Sequence, residues 1–487
     1  STLMRSSAAS DVYKRQIITF FFKMLVGDFM IDDTNYADCL TLYNFNHVDK
    51  IKGKESFSYI FNDNINYIRS LYNRGKIRNI TYDTIQKTIL CGSIYLGYDL
   101  FVCPHCGNES IVPHKCHSKL CTSCGTKEAK LRAAHISSIA LDAKHRHIVF
   151  TIPDLLRGYF IKDRSLLNLL FIAARNTLAC IFNDAKYRKI KKKKIYLKKN
   201  KCPYSYKNDR NKIVFGSVLT LHTFGRDLKW NPHIHCLVCE EAFDTKKNKM
   251  KNFSFISYEK LRKTWMYQVL DLLSKQKLKH FRYLKQRFYD ELVNGFYVYA
   301  KKKEKDNDDN NVDDCVNYIT RYTSRPPMAE NRIIKYEDDK KMIRWWYNRH
   351  EDEKYIEVYE SVENFINNLI LHCPDENFKM VRYYGFYSNR NKKLLEKVYE
   401  LYGKKKKKRI RNLKERKKDL KNKLDHLKYR THMIESFQKD PLLCSCGSLM
   451  KCEYTYDPFE GGTPNDRLYR EKCINECRRL SLDRRRN

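Results

Sequence analysis

Two short cysteine pairs, CPHC at residues 103–106 and CTSC at residues 121–124, restrict what this chain can fold into more than any other feature. Each C-x-x-C pair can grip a metal ion from a tight turn, and the 14 residues between the pairs allow four thiolates to close a tetrahedron around zinc. Gly107 and Gly125 follow the pairs directly, where a residue without a Cβ suits turns that aim backbone N–H groups at sulfur. One structural zinc is therefore expected on Cys103, Cys106, Cys121 and Cys124. His114, Cys116 and His117, between the pairs, are further possible ligands, and Cys91 lies just before them. No water-activating acid accompanies the cluster, so this metal is expected to hold structure rather than do chemistry. Whether Cys444, Cys446, Cys473 and Cys477 form a second metal site is left open by the sequence.

At 487 residues, 42% of them hydrophobic, the chain can build two to four domains with real cores. Its formal charge of +38, from 95 Lys and Arg against 57 Asp and Glu, implies a polyanionic partner, nucleic acid before an anionic membrane surface. Thirty-five tyrosines favour unpaired bases, because rings stack on them while cations follow the phosphates. Part of this composition is what A/T-rich codons produce. Eighteen cysteines, several in C-x-x-C pairs of a large lysine-rich chain, suit an intracellular, metal-binding protein rather than a disulfide framework. The apolar run IITFFFKMLVGDFMI at 17–31 contains Lys23 and Asp28 and is too short to span a bilayer. No G-x-x-x-x-G-K-[ST] loop occurs, which argues against a built-in helicase or ATPase.

DVYKRQ at 11–16 is what GAT GTG TAT AAG AGA CAG encodes, a transposon-end adapter used in sequencing libraries. Residues 1–16 are therefore expected to be an assembly artefact, with the native start at Met24 or upstream. Residues 17–90 read as a helical lead-in and 91–145 as the zinc-binding domain, closed by a helix over 126–145. Across 146–390 strands and helices interleave. HRHIVFTI (145–152), KIVFGSVLTLHTF (212–224) and KWNPHIHCLV (229–238) read as strands, GFYVYAK (295–301) as extended, and 166–182 and 257–293 as helices. That pattern gives an α+β fold with a sheet core. An acidic loop, KKEKDNDDNNVDD, precedes a helix carrying CVNYITRYTSR. Residues 391–487 form a basic tail whose segment 403–430 reads as a solvated helix able to bind DNA.

Within KWNPHIHCLV, His233 and His235 flank Ile234, and in an extended segment both imidazoles point to one face. A hairpin through Gly225 to Pro232 sets His222 beside them as a candidate third ligand. Imidazoles in a partly open site can hold a divalent cation that polarises a phosphate oxygen. In DDCVNYITRYTSRPP (313–327), Asp313 or Asp314 can cap a helix, and Pro326–Pro327 disfavours helix from Arg325 onward. Tyr318 and Tyr322, four apart, share one face of it, a spacing that also suits tyrosines buried along an amphipathic helix.

The order and spacing of these segments, from about residue 88 to 390, resemble the HUH transposases of the IS-ninety-one group, rolling-circle elements whose enzyme carries an N-terminal zinc-binding domain. The likeness runs through CGSIYLGYDLFVCPHCG, HKCHSKLCTSCG, HRHIVFTIPDLLRG, LHTFGRDLKWNPHIHCLV, GFYVYAKK, YITRYTSRPPMAENRI and FINNLILHCPDENFKMVRYYGFYSNR. It implies an HUH endonuclease core, a central antiparallel sheet with flanking helices, behind a zinc-ribbon-like domain. It implies Zn²⁺ as structural ion and Mg²⁺ or Mn²⁺ as catalytic ion on His233 and His235. Tyr318 and Tyr322 become the nucleophiles, leaving a 5′-phosphotyrosine and a free 3′-hydroxyl, while Arg321 and Arg325 hold flanking phosphates. The partner is single-stranded DNA of element ends and target, with no membrane. In a prokaryotic source the place of work is the cytoplasm, at the nucleoid. Two departures stand out: Asn231 occupies a place where members often carry another histidine, and Leu120 one where a histidine commonly precedes the second knuckle, which makes Cys116 an alternative zinc ligand. The same chemistry would serve a plasmid or phage rolling-circle replication initiator, and a nuclease-dead, zinc-dependent DNA-binding remnant would share the motifs.

Overall fold

The computed structural model describes residues 53–93, 96–183, 213–253, 257–300, 326–349, 352–426 and most of 428–456. The expected adapter remnant at 1–16, the apolar run at 17–31, the helix carrying Tyr318, Arg321, Tyr322 and Arg325, and Cys473 and Cys477 all lie outside the described residues. In chain order the strands are β1 (Tyr98–Val102), β2 (Glu109–Pro113), β3 (His145–Phe150), β4 (Ile213–Val214), β5 (Gly216–Phe224), β6 (Trp230–Cys239) and β7 (Glu241–Asp244). There follow β8 (Lys249–Asn252), β9 (Val298–Ala300), β10 (Ile333–Glu337), β11 (Met342–Asn348), β12 (Tyr355–Ser361), β13 (Val381–Gly385) and β14 (Lys451–Tyr456).

The centre is a five-stranded antiparallel sheet in the order β13-β5-β6-β3-β9. Strand alternation sorts its side chains. Ile148, Phe150, Leu219, Leu221, Ile234, Cys236 and Val238 enter one core with the helices Leu167–Asn183 and Tyr258–Ser274. Leu170, Phe171, Ala174 and Leu178 repeat at helical spacing on the first of these helices and are fully or almost fully buried, each burial stabilising by very roughly 1–3 kcal/mol. Arg164–Asn183 is long and apolar enough to cross a membrane by length and composition, yet more than half of it is buried in this core. Leu237 and Cys239, on the opposite face, pack with Ile136, Leu141 and the helix Lys392–Lys406 through Leu395, Val398, Tyr399 and Tyr402.

Two long-range associations join segments far apart in the sequence. The lead-in does not stand apart. Its helices Phe57–Asp63, Ile65–Asn73 and Asn79–Ile89 share a core with the β10-β11-β12 sheet and the helix Val362–Ile370, joining Phe57, Phe61, Ile68 and Ile85 to Trp345 and Phe365. Asn64 Nδ2 donates to Tyr336 Oη at 2.8 Å across that seam. The basic tail from 391 also packs against the rest of the chain. Its first helix completes the core beneath the central sheet, and β14 pairs antiparallel with β1, giving the sheet β14-β1-β2. The highly charged helix Leu413–His426 is mostly solvated, as its sequence predicts, but buried Arg416 pins it by donating to Asp142 at 2.7 Å and to the Ala140 carbonyl at 2.9 Å. The helix expected over 126–145 spans Thr122–Ile139, because His145 already opens β3.

Candidate metal centres

Strands β5 and β6 form the expected hairpin, closed by Gly225 N–H donating to the Lys229 carbonyl, and their register sets His222 directly opposite His233. His222, His233 and His235 all project to the face away from the main helical core, with ligand nitrogens within 4.8 Å of one another. His233 Nε2 lies 3.1 Å from His235 Nε2, close to the ~3.0 Å between neighbouring ligands of an octahedral ion bound at about 2.1 Å. His233 Nδ1 sits 2.6 Å from the Asn231 carbonyl, so it donates there and Nε2 keeps its lone pair for the cluster. Burial holds His233 down at about 4, with the nearby Arg157 guanidinium adding to the effect. Burial also holds His235 well below the usual imidazole range, reinforced by His222, His233 and His147. These imidazoles are neutral near pH 7, the form that ligates metal.

Sequence reasoning missed His147. Its Nε2 lies 2.9 Å from His235 Nδ1, and the two rings stack 3° from parallel. When His235 ligates through Nε2, its Nδ1–H donates to His147, which thereby orients it from behind. The signal was present in His145-Arg146-His147, a second pair of alternating histidines on a strand. Its other member, His145, is a structural group held between the Ala143 carbonyl and Tyr387 Oη. Thr220 Oγ1 and Asn231 Oδ1 are buried without a protein partner, and Thr220 is the register partner of His235. Polar atoms orphaned on the same strands as three clustered imidazoles fit a hydrated divalent cation, which needs oxygen ligands around it.

The cysteines group differently from the expected single knot. Cys121 and Cys124 join Cys91 and Cys116, whereas Cys103 and Cys106 lie with Cys444 and Cys446. The separations within the first quartet, Cys91–Cys124 at 3.7 Å, Cys116–Cys124 at 3.6 Å and Cys91–Cys121 at 3.8 Å, match the ~3.8 Å edge of a tetrahedron with Zn–S near 2.3 Å. Backbone N–H groups of Cys116 and Ser118 point at the sulfurs of Cys91 and Cys116. The pairing read from spacing fails because the hairpin β1–β2 carries the first knuckle away from the helix N-terminus that bears Cys121 and Cys124. Cys116 is thus brought into a quartet and Cys91 completes it.

Comparison with known proteins finds matches to two modules. Residues 60–152 match the family described as "Transposase zinc-binding domain", of the IS91 type, and residues 216–394 match the family described as "Putative transposase". The chain is 29% identical to the "Transposase for insertion sequence element IS801" of Pseudomonas savastanoi pv. phaseolicola, over 68% of this chain and 76% of that protein. It is 26% identical to "Putative transposase y4qJ" of Sinorhizobium fredii, over 65% of this chain and 77% of the relative. No solved structure shows significant similarity. With a match to a zinc-binding module of the IS91 type followed by a match to a transposase module, and transposase relatives along about two thirds of its length, the chain is similar to the IS91-type transposases.

Proposed function

We propose that this transposase nicks and rejoins single-stranded DNA through a 5′-phosphotyrosine, working on the central sheet as an HUH core in the bacterial cytoplasm, where its substrate lies. The observation that carries the reading is the cluster of His222, His233 and His235 on paired strands, with burial favouring the neutral form of His233 and His235 and the Asn231 carbonyl setting the tautomer of His233. A divalent ion held there, Mg²⁺ or Mn²⁺, would draw charge from the scissile phosphate. The chain's own groups do the rest. Tyr318 or Tyr322 attacks phosphorus with its phenolic oxygen, the P–O3′ bond breaks, and the 3′ oxygen leaves as a hydroxyl after taking up a proton. Attack by a 3′-hydroxyl on the phosphotyrosine reverses these changes and joins strands without ATP. Arg321 and Arg325 hold flanking phosphates. Arg157, close enough to His233 to depress its pKa, supplies a further guanidinium beside the reacting phosphate.

Preference for unpaired DNA is supported by the β10-β11-β12 sheet. Its exposed face presents Tyr355 and Tyr359, with Trp346 stacked on Tyr355 and the Arg344 guanidinium over Tyr359. Rings and guanidinium groups arranged in this way suit bases and phosphates of a single strand.

The test is incubation with single-stranded DNA carrying element ends plus Mn²⁺, followed by denaturing electrophoresis. A covalent protein–DNA adduct is expected. It should disappear in Tyr318→Phe/Tyr322→Phe and fall by roughly 10³-fold or more in His233→Ala/His235→Ala, as loss of several kcal/mol of charge stabilisation requires. Both variants should still bind DNA. Adduct formed at wild-type rate by the double-histidine variant, or in the presence of chelator, would sink the assignment.

A further inference from the structure

Segments from opposite ends of the described chain meet at four sulfurs. Cys103 Sγ lies 3.4 Å from Cys446 Sγ, Cys106 Sγ lies 3.4 Å from Cys444 Sγ, and all four fall within 4.8 Å of one another. We propose that Cys103, Cys106, Cys444 and Cys446 bind a second zinc ion, which clasps the C-terminal segment onto the β1–β2 hairpin and completes a three-stranded ribbon. Two of these ligands lie outside residues 60–152, the span of the zinc-binding family match.

The two knuckles are built alike. In the first, Cys103 N–H donates to the Asn108 carbonyl and Gly107 N–H donates back to the Cys103 carbonyl. In the second, Cys444 N–H donates to the Ser448 carbonyl and Gly447 N–H donates back to the Cys444 carbonyl. Gly107 and Gly447 take positive φ values of 72° and 85°, a conformation that lets each turn fold back beneath its sulfurs at no steric cost. Each knuckle adjoins a strand of the same sheet: Cys103 directly follows β1, and Cys446 precedes β14, whose Lys451 pairs with Val102. Asn108 Nδ2 donates to Cys444 Sγ at 3.5 Å, linking the first knuckle to a ligand of the second.

The two cross-knuckle separations are equal and lie well beyond the ~2.05 Å of a disulfide. Four sulfurs presented by paired turns at near-tetrahedral spacing are what a tetrathiolate zinc site requires. The proposal does not depend on the strand-transfer chemistry above, because it concerns how the chain closes on itself.

The experiment measures zinc in the full-length protein purified under reducing conditions. Cys444→Ser/Cys446→Ser is expected to contain one zinc fewer per chain than wild type, and Cys103→Ser/Cys106→Ser should lose that same ion. Combining all four substitutions should remove no more than one. Unchanged zinc in either double variant, or loss of two in the quadruple variant, overturns the site. So does a non-reduced intact mass lighter by two disulfides and unaccompanied by zinc. Should the serine variants precipitate, Cys446→His keeps a zinc ligand and is expected to retain the full zinc content while shifting the d–d bands of the cobalt-substituted protein. Identical bands in wild type and Cys446→His would overturn the assignment equally.

Discussion

His372 shows how a histidine in this chain is held when it is not a ligand. It is almost completely buried, its Nε2–H donates to the Leu228 carbonyl at 2.9 Å, and its Nδ1 accepts from Thr223 Oγ1 at 3.1 Å. Burial is the main cause that lowers its pKa to about 4, with Lys119 and Arg164 nearby adding to the effect. The unfolded chain therefore binds a proton, near pH 6.5, that the folded chain refuses until about pH 4. The resulting stability is fully present above pH 6.5 and is lost as pH falls toward 4, by roughly 3 kcal/mol from this one group. Urea denaturation at a series of pH values between 7.5 and 4.5 should show a decline to which His233 and His235 also contribute, and His372→Gln should lessen it by this one group's share. An equally steep decline in the variant would mean that other groups set the acid sensitivity. His233 and His235 were legible from their alternation alone, because the face of a strand follows from parity. His147 was not, since its role depends on β3 lying beside β6, which no local pattern states.

At the level of elements, the main strands and helices between 145 and 300 were readable because apolar residues there repeat at two or at 3.6, although the helix read over 257–293 is two, Tyr258–Ser274 and Phe281–Glu291, and β7, β8 and the helix Asp154–Lys162 were not read. Element pairing also escaped. The edge strand β13 comes from YYG near residue 384, a stretch without clean alternation, and it joins the central sheet only because β5 offers it a free edge. That junction depends on Gly385, whose φ is +64° and whose added Cβ would stand 1.6 Å from the Phe215 carbonyl oxygen. Gly385→Ala cannot be accommodated without moving backbone. The expected loss is about 3 kcal/mol or more, from backbone strain plus forced separation of β13 from β5. Denaturant midpoints measure it. Stability within 1 kcal/mol of wild type would show that the strand end adjusts freely.

For the molecule as a whole, the charge of +38 makes DNA affinity strongly dependent on salt. If about six to eight phosphates are neutralised on a single strand, the slope of log K against log salt should be near −4 to −6, a fall of roughly 10³-fold between 50 and 200 mM. Titration of labelled single-stranded and duplex oligonucleotides by fluorescence anisotropy measures slope and preference together. Equal affinity for the two forms would leave the exposed tyrosines of β12 without the role given to them. The pairing of β1 with β14 has a consequence for how the chain is made. Cys106 is translated 338 residues before Cys444, so at about 5–20 residues per second the ribbon waits roughly 17–70 s on the ribosome for its third strand. During that interval one edge of β1 is unpaired, and the N-terminal unit, first to be synthesised, is among the last to be finished. A ribosome that stalls just short of residue 451 leaves the ribbon without its third strand even though β13, the last strand of the central sheet, has already been synthesised.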